Sequence, residues 1–136
     1  MVQGSCLCGR VRYEISGALY EMHHCHCGMC RKAHGAAFST FIHVDAEGFR
    51  YSSGSDDVRT YRSSEPVTRQ FCGTCGSNLT FAFAPMPQAL WVTAGTMDGD
   101  PGVRPEGHIF VASKAPWFEI NDSLHQHPEY PPMPEI

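Results

Sequence analysis

Seven cysteines stand in three clusters along the 136 residues. Cys6 and Cys8 form C-L-C, Cys25, Cys27 and Cys30 form C-H-C-G-M-C, and Cys72 and Cys75 form C-G-T-C. An odd number excludes a fully paired disulfide framework within one chain. In a reducing compartment such a density reads as metal ligation or catalysis. Residues i and i+2 of a strand project to one face, so Cys6 and Cys8 can aim two thiolates at one point. Cys72-Gly73-Thr74-Cys75-Gly76 has the form of a zinc knuckle, with a glycine supplying the permissive backbone after the second ligand. The two doublets together provide four thiolates, which complete a tetrahedral Zn²⁺. Such a clip would tie the N-terminal strand to the middle of the chain, with an apparent binding free energy on the order of 10–16 kcal/mol.

The triplet differs in kind. Cys25, Cys27 and Cys30 offer three local ligands and leave a fourth position vacant, as in a catalytic zinc site. Spacing alone fits equally a structural site closed by His23, His24, His26 or His34. His26 lies between two ligands and, in an extended segment, points away from them. His34 is four residues beyond Cys30, within reach of a short helical turn. An iron–sulfur cluster is served less well, because the usual runs supply four thiolates. Zinc on three thiolates is a mediocre activator of water and is better suited to a soft substrate thiolate. A thiolate beside an aldehyde forms a carbon–sulfur bond, and the reverse cleaves an S-hydroxymethyl or similar thiohemiacetal. His34 and Asp98 are candidates for general acid or base near the open position. The competing reading makes them a surface histidine and a turn former in Asp98-Gly99.

The elements that must position these residues read as strands. Val11, Tyr13 and Ile15 alternate with Arg10, Arg12 and Glu14, the period-2 signature of a half-buried strand over Arg10–Ser16. Similar segments are Phe38–Val44, Val58–Arg62, Val67–Phe71, Leu79–Phe83, Leu90–Ala94 and His108–Ala112. Turn chemistry separates them at Ser53-Gly54, Pro85 to Pro87, Asp98-Gly99 and Pro101-Gly102. No long window shows a helical period, and at most a single turn forms near Met29–His34. The fold class is therefore all-β with little or no helix. Residues 1–126 read as one zinc-binding β domain and residues 127–136 as a Pro-rich tail, extended and weakly ordered.

Composition narrows the partners. The formal charge of −4 argues against a phosphate-neutralising surface, so no nucleic-acid partner is expected. No apolar run approaches the roughly 20 residues of a membrane span. The first residues show neither a basic region nor an apolar core of a secretory signal, so the expected compartment is the cytoplasm.

The chain resembles the glutathione-dependent formaldehyde-activating enzyme family, whose domain also occurs in centromere protein V. The stretches that carry the resemblance begin with Gly4-Ser-Cys-Leu-Cys-Gly-Arg-Val-Arg-Tyr and His24-Cys-His-Cys-Gly-Met-Cys-Arg-Lys-Ala-His-Gly. Phe71-Cys-Gly-Thr-Cys-Gly-Ser-Asn-Leu follows, then Ala94-Gly-Thr-Met-Asp and His108-Ile-Phe-Val-Ala-Ser-Lys-Ala-Pro-Trp. They span residues 4 to 124. The resemblance implies a complex β-tent fold, shared with a Rab guanine-nucleotide-release factor. It implies two zinc ions: a structural one on Cys6, Cys8, Cys72 and Cys75, and a catalytic one on Cys25, Cys27 and Cys30. The implied activity joins glutathione and formaldehyde to S-hydroxymethylglutathione, a carbon–sulfur lyase class. This chain is shorter than the formaldehyde-activating enzyme proper and looks like the compact members of the family.

Glutathione would bring two carboxylates that want cationic partners. Arg31, Lys32, Arg69 and Lys114 are the candidates, each otherwise an ordinary solvated charge. Trp117 and Phe118 read as a hydrophobic plug over the sheet or as one wall of a substrate pocket. A lyase acting on a small thiol and a small aldehyde competes with a protein-interaction module in which both metals are structural. A nucleic-acid-binding zinc ribbon is disfavoured by the acidic balance.

Overall fold

The structure is a computed structural model that describes residues 1–131. Its strands are β1 (Val2–Ser5), β2 (Arg12–Ile15), β3 (Leu19–Cys25), β4 (Ser39–Asp45), β5 (Phe49–Ser53) and β6 (Val58–Arg62). They continue as β7 (Val67–Cys72), β8 (Asn78–Phe83), β9 (Ala89–Thr93), β10 (Met97–Asp98), β11 (Pro105–Ile109) and β12 (His125–Gln126). One α-helix, α1 (Gly28–His34), is found among the described residues. The fold is mostly β, as the alternation predicts, and neither sheet closes into a barrel.

The four-stranded sheet runs in the order β10-β1-β2-β5 and is antiparallel throughout. The eight-stranded sheet runs β12-β11-β3-β4-β9-β8-β7-β6. Among the described residues only β11 pairs in parallel, with β3 on one side and β12 on the other. Successive side chains of a strand face opposite sides, so each strand of the large sheet serves two surfaces. Met22, Ile42, Val44 and Val92 face Tyr13 and Ile15 of the small sheet and form the main core with Leu79 and Cys72. The opposite face carries the row His43, Trp91, Phe81 and Arg69, aligned by direct cross-strand pairing. Tyr13 is fully buried and its ring lies on Gly4, where any Cβ would collide with it.

Several elements depart from the sequence expectation. The single turn near Met29–His34 is a seven-residue helix, ended by Gly35 in the left-handed region at φ 59°. β11 stops at Ile109 and does not run to Ala112, because Phe110 takes φ 57° and Val111–Ser113 form a 3-10 turn. β3 and β5 lie outside the expected segments; β5 alternates Phe49 and Tyr51 toward the core about an exposed Arg50, and in β3 the half-buried Glu21 and His23 line a cavity on the face opposite Met22. The tail is held where weak order is expected. The backbone N–H groups of Phe110, Val111 and Ala112 donate to the carbonyls of Glu129, His127 and Pro128, and His127 donates to His108. Residues 132–136 of that tail lie outside the described residues.

Candidate metal centres and the cavity beside them

The first cluster is built from two turns. Cys6 and Cys8 lie in the connection from β1 to β2, Cys72 ends β7, and Cys75 lies in the connection from β7 to β8. Leu7 N–H donates to Ser77 Oγ at 2.9 Å and ties one turn to the other. The four sulfurs lie within 4.8 Å of one another, with Cys6–Cys8 at 3.5 Å and Cys8–Cys72 at 3.8 Å. Backbone amides aim at these sulfurs. Val11 N–H reaches Cys6 Sγ at 3.3 Å, and the Thr74 and Cys75 amides reach Cys72 Sγ at 3.4 Å each. Such donors favour thiolates over thiols. Bonds from the Ser77 hydroxyl and backbone hold Cys75 down to about 5. Gly9 and Gly76 take positive φ to close the two turns. Four convergent soft donors with amide support fit a closed metal site.

The second cluster stands at the other end of β3. Cys25 is its last residue, Cys27 caps α1 by accepting from Cys30 N–H at 3.2 Å, and Cys30 lies in the helix. Asn78 Nδ2 donates to Ala33 O and holds the helix against β8. The three sulfurs also lie within 4.8 Å of one another. Among the described residues no histidine, aspartate or glutamate joins them at that range. Cys30 is pushed far down, because the Cys25 and Cys27 thiols donate to it, with Ser39 and Arg69 assisting. Arg69 Nη2 lies 3.6 Å from Cys30 Sγ. Cys25, donating to both neighbours, is pushed up. The donor set fits a soft ion with one coordination position to spare.

The histidine beside this cluster does other work. His26 is fully buried and turns away from the sulfurs, with Nε2 2.8 Å from His108 Nδ1. His108 Nε2 lies 2.9 Å from Asp122 Oδ2. The Asp122 carboxylate therefore accepts from His108 Nε2–H, leaving Nδ1 to accept from His26 Nε2–H. The His26 backbone N–H adds a bond to Ile109 O. The segment between two candidate ligands is thus pinned from β11 and from the stretch after it.

A cavity of about 240 Å³ opens beside the triplet and is lined by Cys25, Cys27 and Cys30 themselves. Its floor is the outer face of the large sheet. Trp91 stacks on Phe81 at 4.9 Å, Phe41 meets Phe81 edge-on at 4.6 Å, and His43 stacks on Trp91 at 5.2 Å. Glu21 Oε1 lies 3.0 Å from His43 Nδ1. The Arg69 guanidinium lies over Phe81 and bonds Ser63 Oγ through Nε. Phe110 and Tyr130 form the far wall, edge to face.

The expected residues divide accordingly. All seven cysteines fall into the two clusters. His34 does not reach either one; it is half-buried, packs edge-on against Phe41 and does not line the cavity. Asp98 sits in β10 of the small sheet, accepts from Ser5 Oγ and is remote from the triplet cavity. Of the four cations, only Arg69 lines the cavity. Lys114 Nζ is bonded to the carbonyls of Ala115 and Phe118. Trp117 is exposed, and Phe118 packs on Phe38 and His26 rather than on the cavity. His23, expected as a ligand closing the triplet, lines the cavity instead, and Glu21, Phe41, His43, Phe81 and Trp91 join it there without a signal of their own in the sequence. Period 2 counted back from Cys25 finds His23 and Glu21, and the other four need the strand register.

A family model described as glutathione-dependent formaldehyde-activating enzyme matches residues 1–113. A protein of Schizosaccharomyces pombe named as an uncharacterized lyase is 23% identical over 118 residues, covering 87% of this chain and 84% of its own length. The crystal structure of a Rhodobacter sphaeroides protein shares the fold at a TM-score of 0.62 and 21% identity, covering 74% of this chain and 92% of its own.

Proposed function

The chain belongs to the glutathione-dependent formaldehyde-activating enzyme family, and from that membership we propose a zinc-dependent carbon–sulfur lyase acting on thiol adducts of small carbonyl compounds. The family's own pair, glutathione and formaldehyde, defines the class of reaction. The observation that carries the reading is the contrast between the clusters. Four sulfurs wrapped by turns suit a structural zinc on Cys6, Cys8, Cys72 and Cys75. Three sulfurs that themselves line a cavity suit a catalytic zinc on Cys25, Cys27 and Cys30. An interaction module would have no use for a ligand set facing a concave aromatic cavity. Held there, zinc would supply the Lewis acidity that keeps a substrate thiol deprotonated near neutral pH.

The remaining roles belong to the chain. Arg69 sets a positive charge beside the thiolates and offsets their repulsion. The aromatic floor excludes water from the reacting carbon. For proton transfer we assign His43 rather than His34. The Glu21 carboxylate accepts the Nδ1 proton of His43, which leaves Nε2 as the basic atom of a ring that faces the cavity. In the cleavage direction that nitrogen takes the adduct's hydroxyl proton as the carbon–sulfur bond breaks and the carbonyl forms. Seven free cysteines suit the reducing cytoplasm.

The test is equilibration of glutathione, formaldehyde and S-hydroxymethylglutathione, followed by proton exchange spectroscopy with zinc-loaded protein. Acceleration that is lost in a folded Cys27→Ser variant supports the proposal. No acceleration for any thiol and aldehyde pair removes it.

A further inference from the structure

The cavity beside the triplet is walled by Phe41, Phe81, Phe83, Trp91, Phe110 and Tyr130. Its charged groups are few and already engaged. Glu21 pairs with His43, and Arg69 gives Nε to Ser63 and Nη2 to Cys30. A tripeptide thiol carries two carboxylates and an ammonium group, and an aromatic wall gives none of them a partner. The other three cations expected to receive those carboxylates are elsewhere: Arg31 and Lys32 do not line the cavity, and Lys114 is held by two carbonyls.

The size agrees with the chemistry. A dry apolar cavity of roughly 150 Å³ accepts benzene. The 240 Å³ here has room for one ring and the few atoms that join it to a sulfur. Aromatic pairs prefer edge-to-face or offset contacts, and Phe41, Phe81 and Trp91 already form such a series into which a further ring would fit. Phe110 supports the same reading. It is the one non-glycine residue with positive φ among the described residues, a conformation costly for a bulky side chain and frequent at ligand sites.

We propose that this member acts on adducts bearing a single aromatic ring, an aryl-alkyl S-(1-hydroxyalkyl) thiol whose ring lodges on Phe81 and Trp91 while its sulfur meets the triplet. The substrate class rests on the lyase reading above. The reaction is balanced without an oxidant. On cleavage the carbon–sulfur pair stays on sulfur, the hydroxyl loses its proton, and the products are a thiol and an aldehyde. The ring enters on the thiol or on the carbonyl carbon, and the experiment separates these sources.

Trp91 and Trp117 are the two tryptophans, and Trp117 is exposed outside the cavity. Full-length zinc-loaded protein with Trp117→Phe therefore reports the cavity through Trp91 fluorescence. Benzyl mercaptan should perturb Trp91 at a concentration at least tenfold below that required for glutathione. Phe81→Leu, checked for folding by circular dichroism, should weaken benzyl mercaptan about tenfold, a larger loss than it causes for glutathione. Adduct equilibration should be faster for benzyl mercaptan with formaldehyde, or for glutathione with phenylacetaldehyde, than for glutathione with formaldehyde, and the faster arm identifies the ring-bearing partner. Glutathione binding as tightly as benzyl mercaptan, with neither aromatic arm faster, overturns the aromatic substrate and leaves the lyase reading intact. Toluene binding as tightly as benzyl mercaptan, with no adduct accelerated, removes the sulfur anchor and the lyase reading with it.

Discussion

Glu21 Oε1 lies 3.0 Å from His43 Nδ1, across adjacent strands and inside the wall of the cavity. The carboxylate orients the ring and fixes its tautomer, while Trp91 stacks on its face. If His43 moves the adduct's proton, His43→Gln should lower kcat for adduct cleavage by about 10²–10⁴. Glu21→Gln, which leaves the ring in place but frees its tautomer, should lower it less. The two kcat values check this, and a His43→Gln variant of full activity would return the role to solvent.

The two clusters should differ in what they contribute to stability. Cys72 is fully buried in the main core, beside Tyr13 and Leu79. Cys72→Ser should lower stability by several kcal/mol, since binding of the ion is coupled to folding. Cys27→Ser, at a half-buried helix cap where serine also accepts from the Cys30 amide, should cost less than about 1 kcal/mol. Thermal melts of both variants decide this, and equal small losses would argue against a structural metal on the doublets.

Much of this arrangement was legible in the chain, and the limits have physical causes. The doublets could be paired from spacing, because ligand geometry constrains neighbours within a turn. Val58–Arg62 could be bounded as a strand by its composition and flanking turns. The cavity could not be seen, because it depends on register. His43, Trp91, Phe81 and Arg69 come from four strands, and nothing local in their sequence aligns them. His34 looked suited to the triplet by its spacing from Cys30, but its ring is packed against Phe41. The order of residues 127–129 depends on carbonyls that meet the strained turn at Phe110, a long-range fact that proline content does not report.

Tyr13 should make the protein sensitive to alkali. Burial pushes its phenol up to about 12, from an ordinary value near 10, with Thr96 Oγ1 2.7 Å away and Asp98 adding to the shift. The folded state keeps this proton where the unfolded chain loses it. Its contribution is therefore complete below pH 10 and is lost as pH rises from 10 to 12, at up to about 1.4 kcal/mol per pH unit. Tyr13→Phe should cost about 1 kcal/mol near neutral pH, from the lost hydrogen bond. Above pH 10 that deficit should shrink and then reverse. Urea unfolding of both proteins across pH 8–12 measures the difference, and a constant difference would contradict the assignment.

His108→Leu should leave the buried Nε2–H of His26 without a partner, between the candidate ligands Cys25 and Cys27. The expected loss is about 1–3 kcal/mol. Asp122→Asn, at an exposed end of the same chain of bonds, should lose under about 1 kcal/mol. Urea midpoints at constant m-value give both numbers, and equal effects would break the proposed order of the network.

The central claim is that the three-sulfur cluster holds an ion with one position left for a substrate thiol. X-ray absorption at the zinc edge tests it on the two-zinc protein, with and without added thiol. The account predicts an average of three and a half sulfurs per zinc before addition, from the four and three cysteines of the two clusters, rising to four with thiol. A histidine nitrogen closing the second site, and a spectrum indifferent to every thiol, would contradict it.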